Sequence, residues 1–112
     1  MDFKKQKPIY LQIADSLCER MAAAEWKADE RVPSVRDVAV ELGVNPNTVM
    51  RSFEYLQGLE VIYNRRGLGY FVAADAAEKI IREQRKSFLE DEWPAIAQRM
   101  KMLGISPDEL KY

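Results

Sequence analysis

SVRDVAVELGVNPNTVMRSFEYLQGL, residues Ser34 to Leu59, decides the fold of this chain. Ser34 is a helix-capping residue type, and Asp37 three positions later completes a capping-box pattern. Val35, Val38, Ala39 and Leu42 recur at the spacing that buries one stripe of a helix. Gly43 then stops it, in the left-handed conformation that glycine adopts most easily. Asn45 caps the next helix, and Pro46 takes its first position, where a missing N–H is no loss. Val49, Phe53 and Leu56 form a second buried stripe, which Leu59 closes. The spacing predicts a helix, a short turn and a second helix, the helix-turn-helix unit.

Upstream, Ile9, Ile13, Leu17 and Met21 recur every four residues beside Ala14 and Cys18. They predict a helix over 8–25 with Pro8 at its first position. The start, MDFKKQK, is polar and expected to be loose, and KADERVP reads as a linker. Downstream, residues 61–63 and 70–72 are β-formers, and Gly67 and Gly69 between them predict a hairpin with Arg65 and Arg66 at its tip. A helix-turn-helix followed at once by a basic-tipped hairpin is a winged arrangement. From Asp75 onward, Ala77, Ile80, Ile81, Gln84, Phe88 and Leu89 form an apolar stripe on a charged helix. After an expected break at 92–94, Trp93, Ile96, Ala97, Met100 and Leu103 continue it. Gly104 ends that piece, and SPDE, residues 106–109, is a further cap signature. The fold class is therefore α+β, mostly α: a winged helix-turn-helix over 1–74 and a helical tail over 75–112.

With 112 residues the chain suits one domain or a small domain plus an accessory element. Hydrophobic residues at 47% and charged ones at 31% exclude a disordered chain. Short chains bury a modest share of their surface, so a partner chain would help. The net charge of −1 argues against nucleic acid in the sum, but distribution matters more than the sum. Cys18 is the single cysteine and cannot form an internal disulfide, which fits a reducing compartment. No apolar run approaches the ~18 residues of a membrane span, and no signal-peptide core appears. A cytoplasmic protein, without membrane association, is expected.

The polar tip of the second helix makes physical sense if the partner is double-stranded DNA. Residues near the start of the second helix of such a unit reach base edges in the major groove. Asn47, Thr48 and Arg51 are expected to share one exposed face. Asparagine pairs with adenine and arginine with guanine, each worth about 1–3 kcal/mol of discrimination. Asn45 and the free amides behind it suit a phosphate. Arg36 lies on the first turn of the helix that crosses the backbone. Arg65 and Arg66 suit the minor groove or phosphate. The plainer readings are capping alone for Asn45 and Pro46, a first-turn polar group for Thr48 and solvated surface charge for the arginines. Glu54 and Glu60 nearby would repel phosphate. The arrangement, more than any single residue, carries the argument.

Catalysis is not indicated. There is no histidine, and Ser16, Ser34, Ser52, Ser87 and Ser106 read as caps or helix surface. Gly67-Leu68-Gly69 joins strand to strand, so it is no nucleotide loop. No cofactor or metal is expected. The tail's stripe would be a large apolar patch on a monomer. It either folds back on the winged domain or pairs with a second copy. A homodimer is favoured, because two-fold symmetry would place two recognition helices on a palindromic site. Ile80, Ile81, Phe88, Trp93, Ile96 and Met100 are then the interface candidates. Two other readings are a winged protein-interaction module that does not bind DNA, and a sensor holding a small-molecule effector between two tails.

PIYLQI, then VPSVRDVAVELGVNPNTVMRSFEYL, then YNRRGLGYFV closely resembles the GntR family of bacterial transcription regulators over residues 8–73. The NPNTV sequence and the short tail look like its YtrA-type subfamily. The resemblance implies a winged helix-turn-helix that binds operator DNA as a homodimer, usually as a repressor. It implies DNA contact for Ser34, Arg36, Asn45, Asn47, Thr48, Arg51, Arg65, Arg66 and Gly67. It also implies a short helical dimerisation tail and control of transporter genes. Two positions depart from the family pattern. Arginines common in the family are replaced by Pro46 and Met50, so their contacts do not carry over. Glycine is common where Glu60 stands; if that position is left-handed, glutamate costs on the order of 1 kcal/mol.

Overall fold

The computed structural model describes residues 7–111, which form two compact units, one running through Ile81 and one from Arg82 onward. Residues 1–6, expected to be loose, lie outside the described residues. The first unit holds α1 (Ile9–Ala22), α2 (Val35–Leu42), α3 (Pro46–Gly58), the hairpin β1 (Ile62–Arg65) and β2 (Gly69–Val72), and the beginning of α4 (Ala76–Ser87). It is a winged helix-turn-helix.

The helices follow the apolar spacing closely, with corrections at their ends. Pro8 caps α1 from an extended conformation rather than occupying its first turn, and its carbonyl accepts from Leu11 and Gln12 N. The helix stops at Ala22, short of 25, and Ala24 takes a positive φ of 61°. Val38 and Ala39 of α2 are buried, but Val35 is half-buried and Leu42 is 41% exposed, because Gly43 turns the chain directly after it. On α3, Val49, Phe53 and Leu56 are buried as expected, with Leu59 packed partly against them. Ser52, expected on the surface, is fully buried. Its Oγ donates to Tyr10 O at 2.6 Å and also lies 3.3 Å from Thr48 O, which ties α3 to α1.

The linker is more than a connection. Asp29 N donates to Val72 O, Val72 N to Glu30 O, and Val32 N to Tyr70 O, so residues 29–32 run antiparallel along the free edge of β2. Arg31 pairs with Phe71 there, while on the other edge β1 pairs Ile62 with Val72 and Arg65 with Gly69. Pro33 and the lack of apolar alternation hide this pairing in the sequence. Phe53 and Tyr70 meet edge to face at 5.0 Å, which fixes the wing against α3.

Glu60 is left-handed, with φ of 62°. Lys79 of α4 reaches this turn, with Nζ 3.3 Å from the Glu60 carbonyl and 3.6 Å from its carboxylate. Ala76 and Ile80 belong to the core of the first unit, which therefore extends past the boundary expected at 74.

In the second unit, α4 ends at Ser87 and one wide turn, Phe88–Glu92, leads into α5 (Trp93–Leu103). The break expected at 92–94 is not there. Trp93 N donates to Phe88 O, five residues back, and the helical backbone continues through Pro94. Gly104 terminates α5 with φ of 69°, and Ser106 and Glu109 form the capping box of a final short turn.

Candidate nucleic-acid interface

Both helices of the helix-turn-helix begin with side-chain caps. Ser34 Oγ accepts from Asp37 N at 3.0 Å, and Asn45 Oδ1 accepts from Asn47 N at 2.7 Å. The capping atoms are acceptors, so the Ser34 hydroxyl hydrogen and the Asn45 amide group are left as donors at the two helix starts. The first turn of α3 carries no acid, and its amide end is partly positive.

Asn47 and Arg51, one turn apart on α3, are exposed and stand opposite the stripe of Val49, Phe53 and Leu56. Thr48 is half-buried at the flank, beside this face rather than on it. Glu54 follows on the exposed side. The Arg51 guanidinium lies 4.2 Å from the centre of the Tyr10 ring, a cation–π contact that limits where it can point. Tyr10 packs edge to face on Tyr55, so α1 supports the recognition helix through its ring as well as through its carbonyl. Sequence reasoning missed Tyr10 as a supporting residue; its place beside Ile9 on the first turn of α1 was the available signal.

Arg36 is exposed on the first turn of α2. On the wing, Arg66 alone of the expected pair sits at the tip. Arg65 ends β1, paired with Gly69, and its guanidinium lies 5.2 Å from the Phe71 ring centre. Leu68 N donates to Arg65 O at 2.8 Å, closing a four-residue turn in which Gly67 supplies the positive φ of 78°. Nothing lies within 4 Å of where a Gly67 Cβ would stand, so its backbone is open to close approach. Tyr63 stacks on Phe71 and donates to Asp29 Oδ1 at 2.9 Å, and this bond holds the phenol pKa above its ordinary value.

Charge is sorted across the first unit. Arg20 is held by Glu25 and Glu41, Lys7 by Asp15, and Lys79 by Asp75 and Glu60. Among the described residues, Arg36, Arg51, Arg65 and Arg66 make no ion pair. In a chain with 17 bases and 18 acids, the cations of the helix-turn-helix and wing are thus left unmatched, as are Lys27 and Arg31 of the linker. No group of three or more metal-ligating side chains occurs among the described residues, and no helix is long and apolar enough to cross a membrane. A hollow of about 290 Å³ lies behind the wing between Gln57, Glu60, Tyr63 and Lys79.

The interface candidates of the tail separate. Ile80 is 2% exposed in the core of the first unit, one turn into α4, and so is not available to a partner. Ile81, Phe88, Trp93 and Ile96 are each exposed by 39% or more, and Met100 is half-buried. Leu89, Met102 and Leu103 add to the exposed apolar surface, and α5 buries no residue.

Residues 9–72 match the model of the gntR family of bacterial regulatory proteins. The chain is 35% identical over 108 residues to the HTH-type transcriptional regulator YhcF of Bacillus subtilis, covering 96% of this chain and 88% of that one. It is 30% identical over 98 residues to the HTH-type transcriptional repressor YtrA of the same organism, covering 81% and 75%. A solved structure assigned to the GntR family, from Bacteroides thetaiotaomicron, superposes with a TM-score of 0.78 at 46% identity, covering 91% of this chain and 88% of that one. The winged helix-turn-helix, its exposed and unmatched arginines and these likenesses agree: the chain belongs to the GntR family of bacterial regulatory proteins, DNA-binding regulators of transcription.

Proposed function

We propose that the chain acts in the cytoplasm as a homodimeric repressor of the YtrA type on a palindromic operator in duplex DNA, with transporter genes among its targets. The observation that carries the DNA contact is the set of arginines without acid partners on α2, α3 and the wing, next to two capped helix starts that retain free donors. In this reading Asn47, Thr48 and Arg51 read bases in the major groove. Ser34, Arg36, Asn45, Arg65, Arg66 and Gly67 hold the backbone or the minor groove. The exposed stripe of the tail supports the homodimer: Ile81, Phe88, Trp93, Ile96 and Met100 would be its contact surface. A second copy covers such a stripe symmetrically and sets the half-site spacing. The repressor role rests on the likeness to YtrA, and the transporter targets rest on the resemblance of the sequence to that subfamily.

Selection from a random duplex library at moderate salt, followed by sequencing, tests the proposal. An enriched palindrome is the expected result. A folded protein that enriches no site would refute the sequence-specific reading.

A further inference from the structure

Three independent contacts place Arg31 and Arg65 on one face of the wing. Arg31 pairs with Phe71 along the edge of β2, and paired residues of antiparallel strands share a face. Arg65 lies over the Phe71 ring from β1, and its pairing partner is Gly69, two residues before Phe71 and therefore on the same face. The Arg31 guanidinium lies where a side chain at Gly69 would be: a Cβ there would stand 3.0 Å from its Nε. This is the outer face, since Ile62 and Val72, on the opposite side of the strands, are buried in the core.

The Arg31 guanidinium thus packs over Gly69, in the space its missing side chain leaves, on the same outer face as Arg65. Asp29 accepts from Tyr63, Glu30 accepts from Lys27 N, and neither Arg31 nor Arg65 makes an ion pair among the described residues. Like charges held side by side raise the local potential and favour an anion between them. Guanidinium groups match phosphate oxygens in geometry as well as charge. The tip turn with Arg66 follows Arg65 directly in the chain.

We propose that Arg31 and Arg65 form a two-guanidinium cradle for one backbone phosphate of duplex DNA, so that the segment preceding the helix-turn-helix takes part in binding. The cradle rests on the DNA-binding reading and adds to it a residue outside the two helices and the hairpin.

The test is the salt dependence of binding to the selected operator and to an unrelated duplex, for the full chain and for Arg31→Gln, Arg65→Gln, the double variant and Arg31→Lys. Arg31 is exposed and its strand pairing uses backbone atoms, so thermal unfolding of each variant should match the parent. A phosphate contact contributes about 0.9 to the slope of log K against log salt. Arg31→Gln should weaken both duplexes by the same factor, and the double variant should lower the slope by about one, not two. Arg31→Lys should keep the slope. An Arg31→Gln variant that matches the parent at every salt concentration overturns the cradle. A double variant that loses about two in slope also overturns it, because each arginine would then hold its own phosphate. If the parent itself binds neither duplex in a salt-dependent way, the DNA-binding reading fails and the cradle fails with it.

Discussion

Glu60 holds a left-handed conformation at the end of α3, where the chain turns into the wing, and its replacement by glycine should stabilise the protein. A Cβ in this region crowds the following carbonyl, at about 1–2 kcal/mol. Glycine gives back about 0.4–1 kcal/mol through the greater freedom of its unfolded chain. The carboxylate also pairs with Lys79 at 3.6 Å, and its side chain is 79% exposed. Comparing Glu60→Gly with Glu60→Ala removes that pair from both sides. Only the Cβ and the unfolded-state entropy then differ, and the midpoints leave about 0.8 kcal/mol in favour of glycine. For a domain of this size that is a midpoint difference of roughly 3–6 °C. Thermal unfolding of the two variants at one protein concentration measures it, since association shifts the midpoint. An alanine variant as stable as the glycine variant would mean that the left-handed Cβ costs only the ~0.4–1 kcal/mol that glycine gives back, short of the ~1–2 kcal/mol of the crowded Cβ, and the reasoning would fall.

Arg51→Ala should relax base preference at one position per half-site, by about 1–3 kcal/mol, in the library selection; an unchanged profile removes Arg51 from the readout. Ser52→Ala deletes the 2.6 Å bond to Tyr10 O and leaves that carbonyl without its hydroxyl partner, so urea unfolding should show a loss of about 1–3 kcal/mol. Loss below ~0.5 kcal/mol would show that the bond joining α1 to α3 matters little. Ile80→Ala should destabilise by about 2–5 kcal/mol while leaving self-association intact, whereas Ile96→Glu should produce monomers by sedimentation with little loss of fold. The reverse pattern would exchange their roles.

The parts of this fold that read cleanly from the sequence are those fixed by a few adjacent residues. Ser34, Gly43 and Asn45 determine the helix-turn-helix because a cap or a left-handed stop depends on the residue and its nearest backbone. Val49, Phe53 and Leu56 were legible because a helix buries one face at a fixed period. What escaped depends on partners distant in the chain. Ser52 looks like helix surface until Tyr10 offers it a carbonyl. Arg31 looks like a linker charge until β2 offers a free edge. Ile80 and Ile81 are neighbours in one apolar stripe, yet one is buried and the other exposed, since successive helical residues point about 100° apart and only Ile80 faces the core of the first unit. For the candidate interface, the exposure of Arg36, Asn47 and Arg51 was readable from spacing, while the place of Thr48 at the flank, the support of Arg51 by Tyr10 and the placement of Arg65 on a strand were not.

The wide turn at Phe88–Glu92 changes the phase of everything after it. In an uninterrupted α-helix, Phe88 and Trp93 are five steps of about 100° apart and would point roughly 140° away from each other. A turn closed five residues back absorbs one extra residue, so those five steps sweep about the arc of four, and the angular offset falls to roughly 40°. The tail therefore carries an inserted residue that its backbone has accommodated without ending the helix. Its apolar seam stays in line across Pro94, and removal of a single residue from this turn would leave an ordinary helical turn with Trp93, Ile96 and Met100 still in line with Phe88, whereas a further inserted residue would rotate them away.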